Sequence, residues 1–544
     1  MKKATPVPRR DFLKQIAGGS AGLALAPSLL AATPDQSSSP LPKGDTTNPS
    51  AASLIVMSPP SAQTADSIAI LWNKPAGLSV EGYDVYLGSA LVTTTKFTDY
   101  TFQGLGAGKK YEISVRAHVK GPAPLQSNTI RIATSSQPQI VDITKHGAVA
   151  DGRTLNTRAI QATIDACSAG GVVRVPAGVF LTGAIFLKSD LTLQLDKDAV
   201  LQGSSNPNDY PVMNYRAEGR EKPCYASLIN TRDSKGSRWR NIVITGSGTI
   251  DGSGVALRRN ELKEKAAERG CLICIRNTDG LYLQGITIQQ SPFWCVHPIY
   301  CSGVTINGVS IFTKYPGIVN GDGIDPDSCR DVFIFNSHIA SEDDCISLKS
   351  GRDAEGRAVG VPTENVRISH CLFTSGFGVA MGSEMAGGLR NVLVEDCVFK
   401  DAFSVASVKA PRGRGSFIEN VTYRDCTLTN QNQAIKDSQW FRGALYVDQY
   451  YGIAEPDLSE TMPRDESTPV IRNVIFQNIM IDTVGGNAIY LAGLPESPLE
   501  NIRLDNVTAI GVHGFTAYNV RALTLDNVSV EARDGHAMHF VNVK

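Results

Sequence analysis

Short runs in which apolar and polar residues alternate dominate the chain from about residue 140 onwards. The runs recur at a spacing of roughly 30 residues, and many begin with Asn or Asp followed by Val or Ile. They include residues 241–244, 303–311, 331–339, 365–371, 391–397 and 420–426. One half-buried strand, a polar turn and a second strand in each repeat is typical of a solenoid. We predict an all-β protein, a right-handed parallel β-helix with coils about 4.8 Å apart, preceded by a small β-sandwich.

The β-sandwich is predicted for residues 53–136, where the pattern differs from that of the repeats. Alternating runs at 68–72, 82–87 and 110–117 are separated by turns rich in Pro, Gly and Asp. With Trp72 early in the segment, this part resembles a fibronectin type III module. The resemblance implies a role as a spacer, a stabiliser or a sugar contact, of which we expect the spacer.

An amphipathic helix at 156–166 opens the remaining domain, residues 137–544. Placed before many strands, such a helix is expected to cover an open end of the stacked β structure. Three insertions between repeats, at 215–238, 351–362 and 437–463, are predicted to form the walls of a groove.

The first 32 residues are predicted to be an export signal and are excluded from the fold. Arg9 and Arg10 precede an apolar run at 16–30 and small residues at Ala31 and Ala32, which resembles a twin-arginine signal. An ordinary secretory signal is the alternative. Residues 33–52 are predicted to be a flexible linker. Both signals place the protein outside the cytoplasm, either periplasmic or secreted.

Composition and charge narrow the possible partners. The chain has 52 Lys and Arg against 53 Asp and Glu, so no global charge indicates nucleic acid. No internal apolar run is long enough for a membrane span, and we expect no membrane partner.

Cys371, Cys397 and Cys426 occupy the same position of the repeat, which predicts buried thiols stacked coil on coil. Cys271 and Cys274 resemble half a zinc site without a second half, so neither a metal nor a cofactor is expected.

Candidate chemistry lies in two acidic segments one repeat apart. Asp322 and Asp325 belong to the first, and Asp343 and Asp344 to the second, so the coils should bring these carboxylates together. Clustered like charges raise the proton affinity of at least one member. A protonated acid beside an ionised carboxylate is what cleavage of a glycosidic bond requires. A calcium site, or turns rich in Asp and Gly, are the alternatives.

The motifs together resemble those of glycoside hydrolase family 28, the polygalacturonases and related pectin hydrolases. They are the segments 320–325, 342–345, 291–298, 349–351, 382–385 and 409–415. The resemblance implies inverting hydrolysis of galacturonide linkages in a pectic polysaccharide, with exo action expected. It makes Asp343 the general acid, while Asp322 and Asp344 position and deprotonate the water. Inversion needs carboxyl groups about 6.5–9.5 Å apart.

Further residues are candidates for substrate binding. Trp294 would stack on a sugar ring and His297 would donate a hydrogen bond, although a packed aromatic and a core histidine are equally good readings. Asp325 would be a supporting carboxylate or a turn residue. The full set is Lys409, Asp325, His297, Trp294, Glu384, Lys349 and Arg412.

Three departures from the family pattern bear on the substrate. Phe377 stands where the family usually has the His of Gly-His-Gly, Ser407 replaces the Arg of Arg-Ile-Lys, and Glu342 replaces a Gly. Loss of a cation that grips a uronate costs roughly 1.5–3 kcal/mol unless something compensates. We therefore expect either that a loop arginine such as Arg220 or Arg412 substitutes, or that the substrate is not plain polygalacturonan.

Three alternatives follow from these observations. The same fold and chemistry could act on rhamnogalacturonan or another branched pectic polymer, which the lost arginine would suit. A calcium-dependent polysaccharide lyase would hold its metal with the aspartate cluster, but no matching arginine motif is present. A non-catalytic glycan-binding β-helix is the third alternative.

Overall fold

A computed structural model describes residues 53–544 except 122–123, 233–235, 265 and 436. The expected export signal and linker, residues 1–52, lie outside the described residues. The first strands are β1 (Val56–Met57), β2 (Ile68–Trp72), β3 (Val80–Leu87), β4 (Ala90–Thr95), β5 (Asp99–Phe102), β6 (Lys110–Val119), β7 (Leu125–Gln126) and β8 (Ile130–Ala133). Of the helices in this described part, none is long and apolar enough to cross a membrane.

These eight strands form two antiparallel sheets. Strands β1, β2 and β5 make one sheet, and β3, β4, β6, β7 and β8 make the other. Trp72 and Tyr83 are both buried and meet edge to face, with ring centroids 5.5 Å apart. Val85, Ile113 and Val115 complete the apolar core of the sandwich. The resemblance to a fibronectin type III module stays a prediction.

Parallel strands make up the remaining domain. In chain order they are β9 (Ile140–Asp142), β10 (Gly171–Val175), β11 (Gly178–Thr182), β12 (Ile185–Leu187), β13 (Leu191–Leu195), β14 (Ala199–Gly203), an antiparallel hairpin β15 (Val212–Ala217) and β16 (Arg220–Tyr225), β17 (Ile229–Thr231), β18 (Trp239–Gly246), β19 (Thr249–Asp251), β20 (Ile273–Arg276), β21 (Thr278–Gln284), β22 (Thr287–Gln289), β23 (Val296–Ile299), β24 (Ser302–Asn307), β25 (Ser310–Phe312), β26 (Arg330–Phe335), β27 (His338–Ala340), β28 (Ile346–Leu348), β29 (Thr363–Ser369), β30 (Leu372–Ser375), β31 (Val379–Met381), β32 (Leu389–Glu395), β33 (Val398–Lys400), β34 (Ala406–Lys409), β35 (Phe417–Asn430), β36 (Gly443–Asp448), β37 (Val470–Thr483), β38 (Asn487–Ala492), β39 (Leu499–Gly511), β40 (His513–Ala532) and β41 (Met538–Val543). The α-helices are α1 (Thr157–Ala166), α2 (Gly254–Glu264) and α3 (Asp353–Val359), and 3₁₀ turns lie at Ile143–His146 and Pro207–Asp209.

The parallel strands stack into three sheets that wind around one core. Sheet A contains β10, β13, β18, β21, β24, β26, β29 and β32; sheet B contains β11, β14, β19, β22, β25, β27, β30 and β33; sheet C contains β12, β17, β20, β23, β28, β31, β34, β36 and β38. The long strands β35, β37 and β39 bend through both A and B. The predicted all-β fold, a parallel β-helix after a small β-sandwich, is confirmed.

Each coil contributes to columns of like residues that hold it to the next coil. Val304, Val332, Val366, Val392 and Val421 are successive partners in sheet A, and all are buried. A polar column runs beside them, in which Asn365 donates to Asp331 and each later asparagine amide donates to the asparagine of the preceding coil. Its members, all at positive φ, are Asn365, Asn391, Asn420, Asn473 and Asn501. Asparagine tolerates the left-handed backbone, which explains why it begins so many repeats.

The cysteines and the first α-helix behave as predicted. All eleven thiols are free and buried, and Cys397 contacts both Cys371 and Cys426. Helix α1 buries Ile160 and Ile164 against the first coils, as expected for a helix that covers the end of the stack.

The sandwich is fixed to sheet A by charged contacts. The Arg367 guanidinium donates to the Trp72 carbonyl at 2.7 Å and to Thr98 at 2.9 Å, and it also binds Glu395 at 2.9 Å. Lys74 reaches two aspartates of the solenoid. Several buried contacts of this kind favour a stabilising role over the spacer role that the sequence led us to expect.

Candidate active site

The acidic segments meet on sheet C, as the repeat spacing predicted. Residues 322–327 lie between β23 and β28 and pair with both in parallel. Ile324 pairs with Val296 on one side and with Ile346 on the other. The amide of Gly323 donates to the carbonyl of Asp344 at 2.9 Å. Asp322 and Asp344 therefore occupy adjacent coils at one edge of sheet C.

Side chains from neighbouring coils hold the first acidic segment in place. A carboxylate oxygen of Glu342 accepts a hydrogen bond from the Gly321 amide at 3.2 Å. The side-chain amide of Asn320 lies 3.4 Å from Oδ2 of Asp343. Glu342 thus ties the two acidic coils together at the position where the sequence pattern had suggested a glycine.

Arg269 supports this segment from the coil before it. Its guanidinium donates to Oδ1 of Asn320 at 2.8 Å and to the carbonyl of Val319 at 2.5 Å, and it lies 4.1 Å from the centroid of the Phe293 ring. The side-chain oxygen of Asn320 accepts the hydrogen bond from Arg269, so the side-chain nitrogen of Asn320 faces Asp343. Sequence reasoning missed Arg269, because it lies in no recognised motif and its contacts are all distant in sequence.

Lys349 lies at the centre of the carboxylates. Its ammonium is 3.3 Å from Glu384, 3.5 Å from Asp325 and 3.6 Å from Asp322. The Trp294 ring supports it from below, with its centroid 4.3 Å from Nζ. Burial opposes the charge of Lys349, but the surrounding carboxylates outweigh burial and raise its pKa.

Burial and crowding separate the proton affinities of these carboxyl groups. Burial, with Asp325 and Asp343 nearby, raises the pKa of Asp322 well above its usual value. Burial raises the pKa of Asp325 to about 8 against the pull of Lys349. Burial also disfavours the charge of Glu384, but Lys349 and Arg414 outweigh it and lower that pKa to about 2. The cluster therefore holds protonated and ionised carboxyls side by side near neutral pH.

Asp344 has a different environment from Asp322. The ammonium of Lys409 lies 2.6 Å from its Oδ2, and Ser347 donates to the same oxygen at 3.0 Å. Both contacts fix the orientation of the Asp344 carboxyl group. Lys409 also lies over the ring of Tyr451, 5.2 Å from its centroid. Lys409, which was predicted to contact the substrate, therefore pairs with Asp344 in the structure.

The hairpin of β15 and β16 crosses the outer face of sheet C just before the acidic coils. Arg216 binds Asp327 at 2.8 Å, and Tyr215 packs against Trp294 and its neighbours. At the turn, the carbonyl of Gly219 accepts from the Arg352 amide at 3.1 Å. A Cβ on Gly219 would lie 2.9 Å from Glu384, so the turn touches the site itself. The hairpin therefore borders the acidic site at this end.

The other two insertions continue the wall along one side of sheet C. Arg220 of the hairpin and Arg414 both bind Asp353 at the start of α3. Arg412 then binds Glu460, which belongs to the third insertion. The hairpin, α3 and the loop at 437–463 are thereby joined through ion pairs.

Residues 167–532 match the model of a known family, glycosyl hydrolases family 28. The chain belongs to glycoside hydrolase family 28. It is 32% identical over 392 residues to a probable polygalacturonase of Vitis vinifera, covering 69% of this chain and 75% of the relative. It is 30% identical over 378 residues to an exo-poly-α-D-galacturonosidase of Dickeya chrysanthemi, covering 60% and 61%. The family 28 exopolygalacturonase of Yersinia enterocolitica shares its fold, with a TM-score of 0.77, 24% identity, and coverage of 91% and 98%.

Two of the expected substrate contacts in this family 28 hydrolase are buried. His297 has no exposed surface, and its ring lies 3.5 Å from Asp327 and 3.5 Å from Cys271. Burial lowers the pKa of His297. Trp294 is 3% exposed and lies beneath Lys349. The interpretation as substrate contacts is therefore corrected: both support the site from below, because the hairpin covers their side of sheet C.

Arginines expected to replace the missing cation are already paired in the hydrolase. Arg412 binds Glu496 at 2.8 Å and Glu460 at 3.0 Å, and Arg220 binds Asp353 at 2.6 Å. Their guanidinium groups hold the wall together. Both arginines therefore have carboxylate partners in the structure, and substrate binding by Arg412 stays a prediction.

The other two departures, Phe377 and Ser407, both lie beside aromatic side chains. Phe377 packs against Phe403 and Phe441, with ring centroids 5.1 and 5.9 Å away. Ser407 donates to the Phe377 carbonyl at 3.1 Å and pairs in register with Tyr446 of β36. The expectation that Phe377 packs agrees with these contacts.

Proposed function

We propose that this family 28 enzyme hydrolyses galacturonide linkages of pectin from one end of the chain, with inversion at the anomeric carbon. The observation that carries the proposal is the meeting of Asp322, Asp343 and Asp344 on adjacent coils of sheet C. The Vitis vinifera and Dickeya chrysanthemi relatives are named for the same class of reaction.

In the proposed mechanism, Asp343 gives its proton to the glycosidic oxygen as the bond to the anomeric carbon breaks. Asp344, held in place by Lys409, accepts a proton from the water that attacks the opposite face. Asp322 orients this water and shares a proton with Asp325 and the other acids. Asn320 and Glu342 hold the two acidic coils at a fixed separation.

Closure of the groove by the hairpin supports action at a chain end. The turn at Gly219 lies against Glu384 and Arg216 binds Asp327, so the hairpin borders the acidic coils on sheet C. A hairpin in this position would block one end of a substrate-binding groove and favour binding of the polymer by its terminus. The names of the Dickeya and Yersinia relatives specify exo action as well.

Product analysis tests the proposal. Oligogalacturonides of defined length are digested with the wild type and with Asp343→Asn, and products are followed by anion-exchange chromatography. The proposal expects one short product from the first time point and no activity in the variant. A ladder of intermediate lengths would refute exo action, and an unchanged variant would refute the assignment of the acid.

Unsaturated products that absorb in the ultraviolet would instead support the lyase alternative. Binding of pectic oligosaccharides without turnover would support a glycan-binding protein. These outcomes separate the three classes of function in a single assay.

Export completes the proposed function, since pectin lies outside the cell that degrades it. The support is the sequence Arg9-Arg10 before an apolar run. Replacing both arginines by lysine should leave the protein in the cytoplasm if the twin-arginine signal operates. Unchanged export would favour an ordinary secretory signal.

A further inference from the structure

A lysine and a glutamine from distant coils meet beside the acidic site. Lys314 lies just after strand β25, and Gln433 lies just after strand β35. The ammonium of Lys314 donates to the side-chain carbonyl of Gln433, with Nζ 2.8 Å from Oε1. On sheet B the strands β25, β27, β30, β33 and β35 pair in succession. The two loops and the bridge between them therefore span four coil steps, or about 19 Å along the solenoid.

The Lys314–Gln433 bridge passes over loops that carry residues of the site. Those loops follow β27, β30 and β33 and contain Asp343, Phe377 and Phe403 in turn. Ile435, close to Gln433 in the chain, packs against the same apolar cluster as Phe377 and Phe403. The segment that carries Gln433 therefore leans back over these loops, on the flank of the site where Asp343 lies.

The neighbour of Lys314, Thr313, is fixed between the two acidic segments. The Thr313 hydroxyl donates to the carbonyl of Gly321 and accepts from the amide of Glu342 at 3.1 Å. Gly321 and Glu342 each come directly before a carboxylate of the site. The Lys314 side chain therefore starts from a fixed point beside the acids, and it is exposed to solvent.

The partner of the Lys314 ammonium is a neutral group. Among the residues that the structure describes, Lys314 forms no ion pair, and its hydrogen bond goes to an amide oxygen. A carboxylate is the stronger acceptor for an ammonium group, because both sides of the bond are then charged. Arg357 also has neutral acceptors, but it is half-buried and donates to the carbonyls of Gly413 and Arg414. Arg357 thus holds the wall, whereas Lys314 can exchange its acceptor for a better one.

Resting on the proposed function, we infer that Lys314 binds a galacturonate carboxylate of the substrate, which takes the place of the Gln433 side chain. A galacturonide carries a carboxylate on each of its sugars, and its cleaved bond must lie against Asp343. A bound chain therefore brings carboxylates to the flank that the bridge crosses. Lys314 is a loop cation of the kind that the replacement of an arginine by Ser407 led us to expect.

Steady-state kinetics on trigalacturonate with the full-length enzyme test the inference. Lys314→Met should raise KM about five- to tenfold and leave kcat within about twofold, because a binding contact is lost while the reacting carboxyl groups are untouched. Lys314→Arg keeps a cation at the same place and should retain most of the affinity. An unchanged KM in Lys314→Met overturns the inference.

Two further variants separate a substrate contact from a purely structural bridge. Lys188→Met removes another lysine that donates to a neutral oxygen, the Asp165 carbonyl at 2.8 Å, several coils before the acidic segments. It should keep the wild-type KM. Gln433→Leu breaks the bridge but leaves the Lys314 ammonium in place, so KM should stay the same or fall. If Gln433→Leu raised KM as much as Lys314→Met, the bridge itself would be the important feature and the inference would be wrong.

Masking one carboxylate at a time identifies the contact without relying on turnover. Three trigalacturonates, each with a different carboxylate as its methyl ester, are titrated into Asp343→Asn and into the same variant with Lys314→Met added, and Kd is measured by calorimetry. For one of the three, the lysine substitution should cost no further affinity, because its partner is already masked. An equal loss of affinity for all three contradicts the inference.

These results are distinct from a failure of the proposed function. If the wild type cleaves no galacturonide, the proposed function itself is wrong. If it cleaves trigalacturonate with a KM that Lys314→Met does not change, the proposed function stands and the role of Lys314 is wrong.

Discussion

The ammonium nitrogen of Lys409 lies 2.6 Å from Oδ2 of Asp344, so that the last residue of β34 reaches back across β31 to the coil of β28. The pair fixes the position of the Asp344 carboxyl group on sheet C. It does so without any contact between residues that are close in sequence.

Removing this cation should weaken the base. Lys409→Met should lower kcat/KM by about 100-fold or more, because the ammonium group that holds and orients the Asp344 carboxylate is lost. Lys409→Arg keeps the positive charge and should retain most of the wild-type kcat/KM. A kcat/KM that Lys409→Met leaves unchanged would contradict this role.

Arg269 should act as a positioning residue. In Arg269→Met, Asn320 loses the hydrogen bond that directs its amide towards Asp343. We expect kcat to fall about tenfold with little change in KM, together with an altered pH–rate profile, because the general acid is affected and the groove is not. Steady-state kinetics across pH provide the measurement.

The matched control for this variant is Arg258→Met. Arg258 is also largely buried and pairs with Glu261 of α2, which belongs to the same insertion before β20. It should retain the kcat and the pH profile of the wild type. Similar kinetic losses in both variants would mean that Arg269 contributes to folding alone.

Asp325 should make the free energy of unfolding fall as pH rises. Its pKa is about 8 in the folded enzyme against a usual 3.8, so the folded state holds a proton that the unfolded state has released. This contribution to stability is complete below about pH 4 and is lost as pH rises through 8. Urea unfolding of Asp325→Asn should show a weaker decline between pH 5 and 8 than the wild type. If the free energy of unfolding declined equally in both proteins, another carboxyl group of the cluster would hold the proton.

The sandwich should stabilise the solenoid through Arg367. Arg367→Met removes hydrogen bonds to Trp72 and Thr98 in a buried interface, and we expect a loss of about 1–3 kcal/mol in the free energy of unfolding. Activity at low temperature should persist, because sheet C is not involved. Arg131→Gln, in an exposed pair with Glu112, should leave stability unchanged. If the two variants were equally stable, the sandwich would act as a spacer and would not stabilise the solenoid.

The sequence was sufficient to predict the solenoid and the meeting of the acids, since both follow from a repeat that can be read along the chain. Asn365 and its successors mark each coil, and Asp322 and Asp343 lie one repeat apart. Apolar columns and left-handed asparagines are local features. They need no knowledge of distant contacts.

The roles of outward-facing residues could not be predicted in the same way. Trp294 and His297 lie on the same strip of sheet C as the acids, and alternation alone cannot show whether substrate or protein covers them. The hairpin that covers them comes from residues 212–225, more than one coil earlier. The ion pair of Arg412 could not be predicted for the same reason, because its partner Glu496 is distant in sequence and no local pattern connects the two residues.

Proton NMR of the first products tests the central claim most directly. Wild-type enzyme is mixed with a galacturonide oligomer, and the anomeric signal of the newly released end is recorded before mutarotation. If Asp322, Asp343 and Asp344 act together across two coils, the new anomeric centre has the configuration opposite to that of the cleaved bond, and Asp343→Asn gives no signal. A product that retains the original configuration, or a normal signal from the variant, would contradict the account.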